Sequence, residues 1–471
     1  MTSFSTAATG ATRADARSRD ADAAVPAGRR IPVGLLAALV LGTLACIGVA
    51  CIVCRSLYGD GAYVVLGRLL RPMRFDDYDY HRSFASFIGQ TPLFLGQRLG
   101  IVNVSAYAGI YTFAVDGLPL LAYVVALALA RDVPRLFAAT ALALAVFGFG
   151  ANFTNSEGNL FLGLAWLAGV LLALPGRRRF ARGIILPALA FVLLRVYEGM
   201  LLAGPVLAAW AYAKAVRTDD VDEKIGLVLA TLAFAVGCLI GFSSYVAPRD
   251  PVNAAAFAAA LFAYWRNPQM WLLLAAAAAF VAVPSSPRIF AAVATLVAAA
   301  LGGVFFAAML GLHGYGAYAV YYENRAFLVL SMPVALAALA VLDLRGTGWL
   351  ARDVAPIRLM AVLVPFAAVV AVDLLGSARW FAYMNTFCDV LAEPVTAGAG
   401  VGRLKASGAV TGWGWTHPSM SILLRRSGTT AIVTNEPGNW KPFDPATIEL
   451  TGYRGACENR RFGATRHAGR P

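Results

Sequence analysis

Runs of apolar residues, separated by short polar segments, recur along most of the chain. A helix that crosses a bilayer needs about 20 such residues, and fewer if it is buried in a bundle. The weak alternation typical of a membrane β-barrel is not the pattern here. We therefore predict an all-α polytopic membrane protein with about eleven transmembrane helices. The predicted spans are 31–54, 106–130, 136–151, 160–175, 184–195, 199–213, 225–246, 271–283, 289–311, 327–342 and 359–376.

The segments between these runs alternate between two kinds. One kind is basic, and the other holds more aromatic, acidic and amide residues. The basic segments are 131–135, 176–183, 214–224, 284–288 and 344–358. The others are 55–105, 152–159, 195–199, 247–270 and 313–327. The positive-inside rule places the basic set and the N-terminus in the cytoplasm, and the other set and the C-terminal tail outside.

Residues 184–213 allow two interpretations. They could form one long tilted helix, or two short spans that meet at "RVYEG", residues 195–199. Arg182 and Lys214 flank the stretch, and both favour the cytoplasm. A single span would place every later basic loop outside, so we predict two short spans.

Both ends of the chain differ from its apolar middle. Residues 1–30 contain no apolar segment and are predicted to be a disordered cytoplasmic N-terminus. The transmembrane domain then covers 31–376, with an outer loop at 55–105. From residue 377 turn signals appear, and "TAIVTN" and "ATIEL" are typical of short strands. We predict a small α+β extracytoplasmic domain over 377–471.

Two of the six cysteines, Cys388 and Cys457, fall in this C-terminal segment, and the other four lie in apolar runs. An extracytoplasmic compartment would allow the two to oxidise. We expect a disulfide between them, although two unrelated thiols are the alternative.

The overall composition excludes an ordinary soluble protein. The chain is 59% hydrophobic and 14% charged, with a mean hydropathy of +0.67. Its net charge of +13 resides in short loops between apolar runs. Attraction to anionic lipid explains that charge better than nucleic-acid binding, and we predict no nucleic-acid partner. No Walker loop and no Rossmann glycine motif are present.

"YGDGAY" places Asp60 a few residues after the first predicted span. Glycines beside it would let the backbone approach a ligand closely. A carboxylate near the apolar boundary has a raised proton affinity, which suits a general base. The alternative is a turn or helix-capping aspartate, a common use of Asp beside Gly.

"RFDDYDYHRSF" places Asp76, Asp77 and Asp79 close together, with Arg74, His81 and Arg82 beside them. A divalent cation could bind these acids, although the spacing is not that of a calcium loop and no zinc ligand set is present. The alternative is a solvated loop with internal ion pairs. The nearby tyrosines, Tyr58, Tyr63, Tyr78 and Tyr80, could stack on sugar rings or simply mark the membrane interface.

Arg82 and four further charged residues are candidates for substrate binding. Glu157 begins a predicted outer helix, where the helix dipole alone would favour it. Arg195 and Glu198 are three residues apart and would share one helix face at membrane depth, where they could simply pair. Arg325 lies at the outer mouth of another span, where it could bind phosphate or anchor the helix.

An early acidic outer loop, several outward carboxylates and arginines and an outer C-terminal segment together resemble the membrane glycosyltransferases of the GT-C superfamily. The resemblance covers the topology of nearly the whole chain. It implies a bacterial inner (plasma) membrane enzyme that uses a polyprenyl-phosphate-linked sugar. Asp60 matches best the aspartate which that family keeps after its first span, followed by Asp76 and Asp77. The family's paired Asp-Glu at that place is missing.

The resemblance implies a direct mechanism. An aspartate takes the proton of an acceptor hydroxyl on a glycan or lipid, and arginine, either Arg195 or Arg325, neutralises the departing polyprenyl phosphate. No cofactor is expected apart from a divalent cation. A transporter or flippase of a lipid-linked or anionic substrate is the main alternative. It is disfavoured by the lack of polar residues in mid-membrane. A surface-polysaccharide polymerase or ligase is the other.

Overall fold

The computed structural model describes residues 31–58, 61–71, 82–150, 157–176, 179–246, 317–345, 350, 359–360, 362–393, 399–406, 416–426, 431–433, 450 and 452–458, with the backbone alone at 317–327 and 405–406. The helices of this part are α1 (Val33–Ile52), α2 (Gly61–Leu70), α3 (Ser83–Arg98), α4 (Val104–Ala130), α5 (Pro134–Phe149), α6 (Glu157–Ala173), α7 (Ala181–Leu193), α8 (Met200–Arg217), α9 (Val221–Val246), α10 (Ala317–Leu344), α11 (Leu363–Leu391), α12 (Ala399–Ala406) and α13 (His417–Leu424).

Four of the described helices, α1, α4, α9 and α11, are long and apolar enough to cross a membrane. The prediction of about eleven spans is therefore wrong for this part of the chain. Several other predicted spans form apolar helices of only 10–17 residues. At about 1.5 Å per residue they are shorter than a hydrocarbon core of about 30 Å. The predicted spans 271–283 and 289–311 lie outside the described residues.

The predicted interruption within 184–213 is confirmed. Helix α7 ends at Leu193 and α8 begins at Met200, with a turn between them. Helix α9 packs against both: a Cβ on Gly226 would lie 2.3 Å from the carbonyl oxygen of Arg182, and one on Gly241 would lie 2.8 Å from the amide nitrogen of Leu201. The two helices form an antiparallel hairpin, so Arg182 and the end of α8 lie at the same end of the bundle.

Ion pairs join the basic segments at this end, which we call the basic end. Arg182 Nη1 lies 2.5 Å from Glu223 Oε1, and Lys214 Nζ lies 2.7 Å from Asp343 Oδ2. Burial lowers the pKa of Lys214, and Asp343 offsets only part of that effect. Arg217 Nη1 also donates to the carbonyl of Leu344 at 2.9 Å. The described parts of 176–183, 214–224 and 344–358 therefore meet at one end of the bundle. That this end faces the cytoplasm stays a prediction.

Helix α11 connects two apolar cores. Its first half packs beside α1, where Phe366 lies against Gly42. Its second half continues past the end of α1, and Trp380 Nε1 donates to the carbonyl of Val53 at 3.0 Å. The larger core lies within the helical bundle, and the second core surrounds Trp380. The proposed domain boundary at residue 377 falls inside α11.

The C-terminal segment contains helices and irregular structure but no strand in its described part, so the predicted α+β fold is not found there. Residues 431–433 of "TAIVTN" are irregular, and most of "ATIEL" lies outside the described residues. A strand needs a paired neighbour, and here pairing is limited to an isolated bridge between Asn103 and Arg454.

The predicted disulfide is confirmed. Cys388, on α11, is bonded to Cys457, with their Cα atoms 5.6 Å apart. The bond ties the segment around residue 457 to the end of α11, and both cysteines belong to the second core.

Candidate functional site

Three charged side chains from distant parts of the chain meet at the end of the bundle opposite the basic end. Arg82 Nε donates to Glu198 Oε1 at 2.7 Å, and Arg82 Nη1 donates to Glu157 Oε2 at 3.4 Å. The side chains are 18%, 25% and 34% exposed for Arg82, Glu198 and Glu157. We call these three residues the outer cluster. They lie about 20 Å from the basic end, because α7 has 13 residues and separates Arg182 from the turn that carries Glu198.

The outer cluster is positioned by two helix starts and one turn between helices. Arg82 directly precedes α3, Glu157 is the first residue of α6, and Glu198 lies in the turn between α7 and α8. The amide of Phe84 donates to the carbonyl of Arg195 at 3.1 Å, which fixes the start of α3 against that turn. The Tyr197 ring lies 5.2 Å from Arg82 Cζ and supports the guanidinium by a cation–π contact.

The outer cluster carries more negative than positive charge. Burial disfavours the charged form of Arg82, but Glu198 and Glu157 outweigh that effect and raise its pKa well above the ordinary value. One cation thus faces two carboxylates, and the cluster has a formal charge of −1 when both are ionised. Such a group can accept hydrogen bonds from hydroxyls or amines, and it repels phosphate.

The predicted candidates differ in where they lie. Arg82, Glu157 and Glu198 come together, whereas Asp60, Asp76 and Asp77 lie outside the described residues. Arg325 lies on α10, where the structure describes the backbone alone.

The prediction that Arg195 and Glu198 share a helix face is wrong, because residues 194–199 form a turn. Glu198 pairs with Arg82. Arg195 lies beside this contact through its backbone carbonyl.

A second charged cluster, which the sequence analysis missed, lies between the two apolar cores. Arg55 Nη1 donates to Asp373 Oδ1 at 2.8 Å and to Ser377 Oγ at 3.2 Å, and Arg55 Nε donates to Asp116 Oδ2 at 3.3 Å. The three charged side chains are at most 2% exposed. We call Arg55, Asp116 and Asp373 the buried triad.

Irregular backbone places two members of the buried triad. Arg55 begins a short 3₁₀ turn directly after α1, and Asp116 lies in the π-helical turn Phe113–Gly117 within α4. π-Helical turns are often found at functional sites. Asp373 lies on the regular helix α11. The sequence did carry a signal, since each aspartate interrupts an otherwise uncharged apolar run. Two candidate spans, α4 and α11, therefore each carry a buried carboxylate that the sequence analysis did not consider.

One of the predicted sugar-stacking tyrosines has another role. Tyr58 is buried, and its ring meets Trp380 edge-on with centroids 5.7 Å apart. It belongs to the second core and is not available to a ligand. Tyr78 and Tyr80 lie outside the described residues.

The described residues include no group of three or more His, Cys, Asp or Glu side chains that could hold a metal ion. The expectation of a divalent cation rested on Asp76, Asp77 and Asp79, which lie outside the described residues, so it is not tested here.

The comparisons with known proteins assign no family. No family model, no curated protein and no solved structure matches the chain.

Proposed function

We propose that the protein is a membrane glycosyltransferase that moves a sugar from a polyprenyl-phosphate donor to an extracytoplasmic acceptor. The observation that carries this proposal is the outer cluster. It gathers partly exposed charged groups at the end of the bundle opposite the basic loops, where a GT-C-like enzyme would hold its catalytic site. Asp77, one of the predicted catalytic aspartates, precedes Arg82 by five positions in the sequence.

The charge of the outer cluster assigns it a role in this proposal. Two glutamates already neutralise Arg82, so the cluster suits the hydroxyl groups of a sugar or acceptor better than a phosphate. Neutralisation of the departing polyprenyl phosphate then falls to Arg195 or Arg325, and Asp60 acts as general base with Asp76 and Asp77 nearby.

The disulfide supports the proposed orientation. Disulfides persist in oxidising compartments, so Cys388 and Cys457 favour the outside of the cell for the second core. The outer cluster would face the same side, and the N-terminus would lie in the cytoplasm of a bacterial inner membrane.

The test is donor turnover by the full chain reconstituted in lipid vesicles. Polyprenyl-phosphoryl glucose and mannose serve as donors, a bacterial membrane lipid extract serves as acceptor, and released polyprenyl phosphate is measured. Asp60→Asn should lower turnover by about 100-fold or more, because it removes the base and keeps the shape. Glu198→Gln should raise the acceptor KM by about tenfold, because it weakens one charge-assisted hydrogen bond.

Asp132→Asn is the matched control, since Asp132 pairs with Arg131 on an exposed surface in the predicted basic loop 131–135. Its turnover should equal that of the natural chain. Full activity of Asp60→Asn would remove Asp60 from the mechanism. If neither donor is consumed by the natural chain, the glycosyltransferase proposal fails for these sugars.

The buried triad favours one second candidate, a transporter or flippase of a lipid-linked substrate. Ionisable residues within membrane helices commonly mark substrate or proton pathways, and Asp116 and Asp373 lie in two of the candidate spans. The same vesicles separate the two functions. A transporter moves labelled donor across the bilayer without releasing polyprenyl phosphate, whereas the enzyme releases it.

A further inference from the structure

The buried triad contains two carboxylates and one guanidinium, all closed off from solvent. If both aspartates were ionised, the triad would hold a net charge of −1 among side chains at most 2% exposed. A buried charge that is not compensated is costly, and proteins normally neutralise it. The two aspartates do not share Arg55 equally, and this inequality identifies the one that is less well compensated.

Asp373 makes the better contact with the guanidinium. Its distance of 2.8 Å to Arg55 Nη1 is typical of a charge-assisted hydrogen bond. Asp116 reaches Arg55 Nε only at 3.3 Å, through Oδ2. Each carboxylate has one buried oxygen that makes no hydrogen bond in the described part of the chain, Oδ1 of Asp116 and Oδ2 of Asp373, so the two differ in their distance to the guanidinium. A buried oxygen that makes no hydrogen bond destabilises the folded state far more when it belongs to an ionised carboxylate than when it belongs to a neutral acid.

The other groups facing Asp116 do not add positive charge. Cys51, on α1, faces Asp116, and Cys46, also on α1, faces Asp373. Both thiols are neutral or negative in any state. Helices α3 and α6 also pack against the π-helical turn, and neither supplies a titratable partner to Asp116 within the described residues. Arg55 is therefore the described cation that faces Asp116.

We propose that the buried triad is a proton-binding site, with the proton on Asp116 and with Asp373 ionised. This assignment makes the triad neutral: one guanidinium, one carboxylate and one carboxylic acid. The site lies where α1, α4 and α11 meet, at the junction of the two apolar cores. Removing the proton would leave two carboxylates on one guanidinium and would weaken this junction. The inference does not depend on the proposed function.

The site makes stability depend on pH in a defined direction. The unfolded chain has released this proton at neutral pH, so the folded state binds one proton more. Stability must then fall as pH rises. We expect the thermal midpoint of the reconstituted protein to decrease as pH rises above about 4, the ordinary pKa of an aspartate, until the folded protein releases the proton. We expect Asp116→Asn to reduce that slope.

Infrared spectroscopy of the full chain in lipid nanodiscs tests the proton directly. The natural chain at neutral pH should show a carbonyl band of a protonated carboxylic acid, and Asp116→Asn should lose it while keeping its thermal midpoint. Asp373→Asn should also lose the band, because Arg55 then compensates Asp116. Asp343→Asn is the control and should keep the band, since Asp343 pairs one-to-one with Lys214.

Three outcomes would overturn the proposal. The first is the absence of such a band in the natural chain, which requires no variant to fold. The second is a band that persists in Asp116→Asn. The third is an Asp116→Asn midpoint as low as that of Asp373→Asn, which would indicate that both carboxylates are ionised and needed.

Discussion

Arg182 should be among the most sensitive charged positions of the bundle. Its guanidinium donates to the carbonyls of Leu171 and Leu172 in the last turn of α6 and to those of Leu174 and Gly176 just after it. It also pairs with Glu223 at 2.5 Å. One side chain thus caps the last turn of α6 and binds it to the start of α9. We predict that Arg182→Met strongly destabilises the folded state.

The magnitude follows from burial. Arg182 and Glu223 are 6% and 2% exposed, so Arg182→Met leaves the Glu223 carboxylate buried without its partner. Breaking such a pair typically costs about 3–5 kcal/mol. Arg131→Met is the matched control, because Arg131 and Asp132 are both 67% exposed. A pair exposed to that degree contributes less than about 1 kcal/mol.

Thermal and denaturant unfolding in detergent, followed by tryptophan fluorescence, measure the difference. The double variant Arg182→Met, Glu223→Met should recover part of the loss, because it removes the orphaned carboxylate and leaves only the missing cap of α6. The reasoning is refuted if Arg182→Met unfolds at the same midpoint as Arg131→Met, or if the double variant is less stable than the sum of the two single changes.

Three further predictions use the same unfolding assay. Cys388→Ser opens a disulfide between residues 69 apart and should cost about 4 kcal/mol, whereas Cys238→Ser should cost less than about 1 kcal/mol. Gly226→Ala should cost about 1–3 kcal/mol, because its Cβ would lie 2.3 Å from a backbone oxygen, whereas Gly48→Ala has open space and should be neutral. The Glu223 amide and Arg179 lower the pKa of Asp220, so its contribution should be present above about pH 4 and lost as pH falls further, and Asp220→Ala should remove that dependence.

The sequence allowed local features to be predicted well. The turn between α7 and α8 was predictable because charged residues interrupt the apolar run and Arg182 and Lys214 flank it. The disulfide was predictable because only Cys388 and Cys457 lie outside the apolar runs. Both inferences depend on nearby residues or on a small set of candidates.

Features that depend on distant contacts were not predictable. Arg55 meets Asp116 and Asp373 across 61 and 318 positions of sequence, and no local pattern specifies that meeting. Tyr58 was expected at a ligand because it lies in an outer loop, but Trp380 covers it. Strands were expected in the tail because propensity does not reveal whether a pairing neighbour exists. The number of long spans was overestimated because hydropathy marks apolar runs without fixing helix length.

The ratio of acids to bases separates the ionic contacts into two groups. At the basic end, Arg179 with Asp220, Arg182 with Glu223 and Lys214 with Asp343 are one-to-one pairs. In such a pair the two charges cancel, so the pair joins two helices and needs no further ligand. Counted over the described residues alone, the outer cluster and the buried triad each have two carboxylates for one arginine. The second carboxylate of the outer cluster is partly exposed, so hydroxyl groups or a cation from solvent can compensate its charge. The second carboxylate of the buried triad has no such access, and a bound proton is the smallest ligand that neutralises it. Surplus carboxylate therefore marks the two places in the described chain where binding is expected.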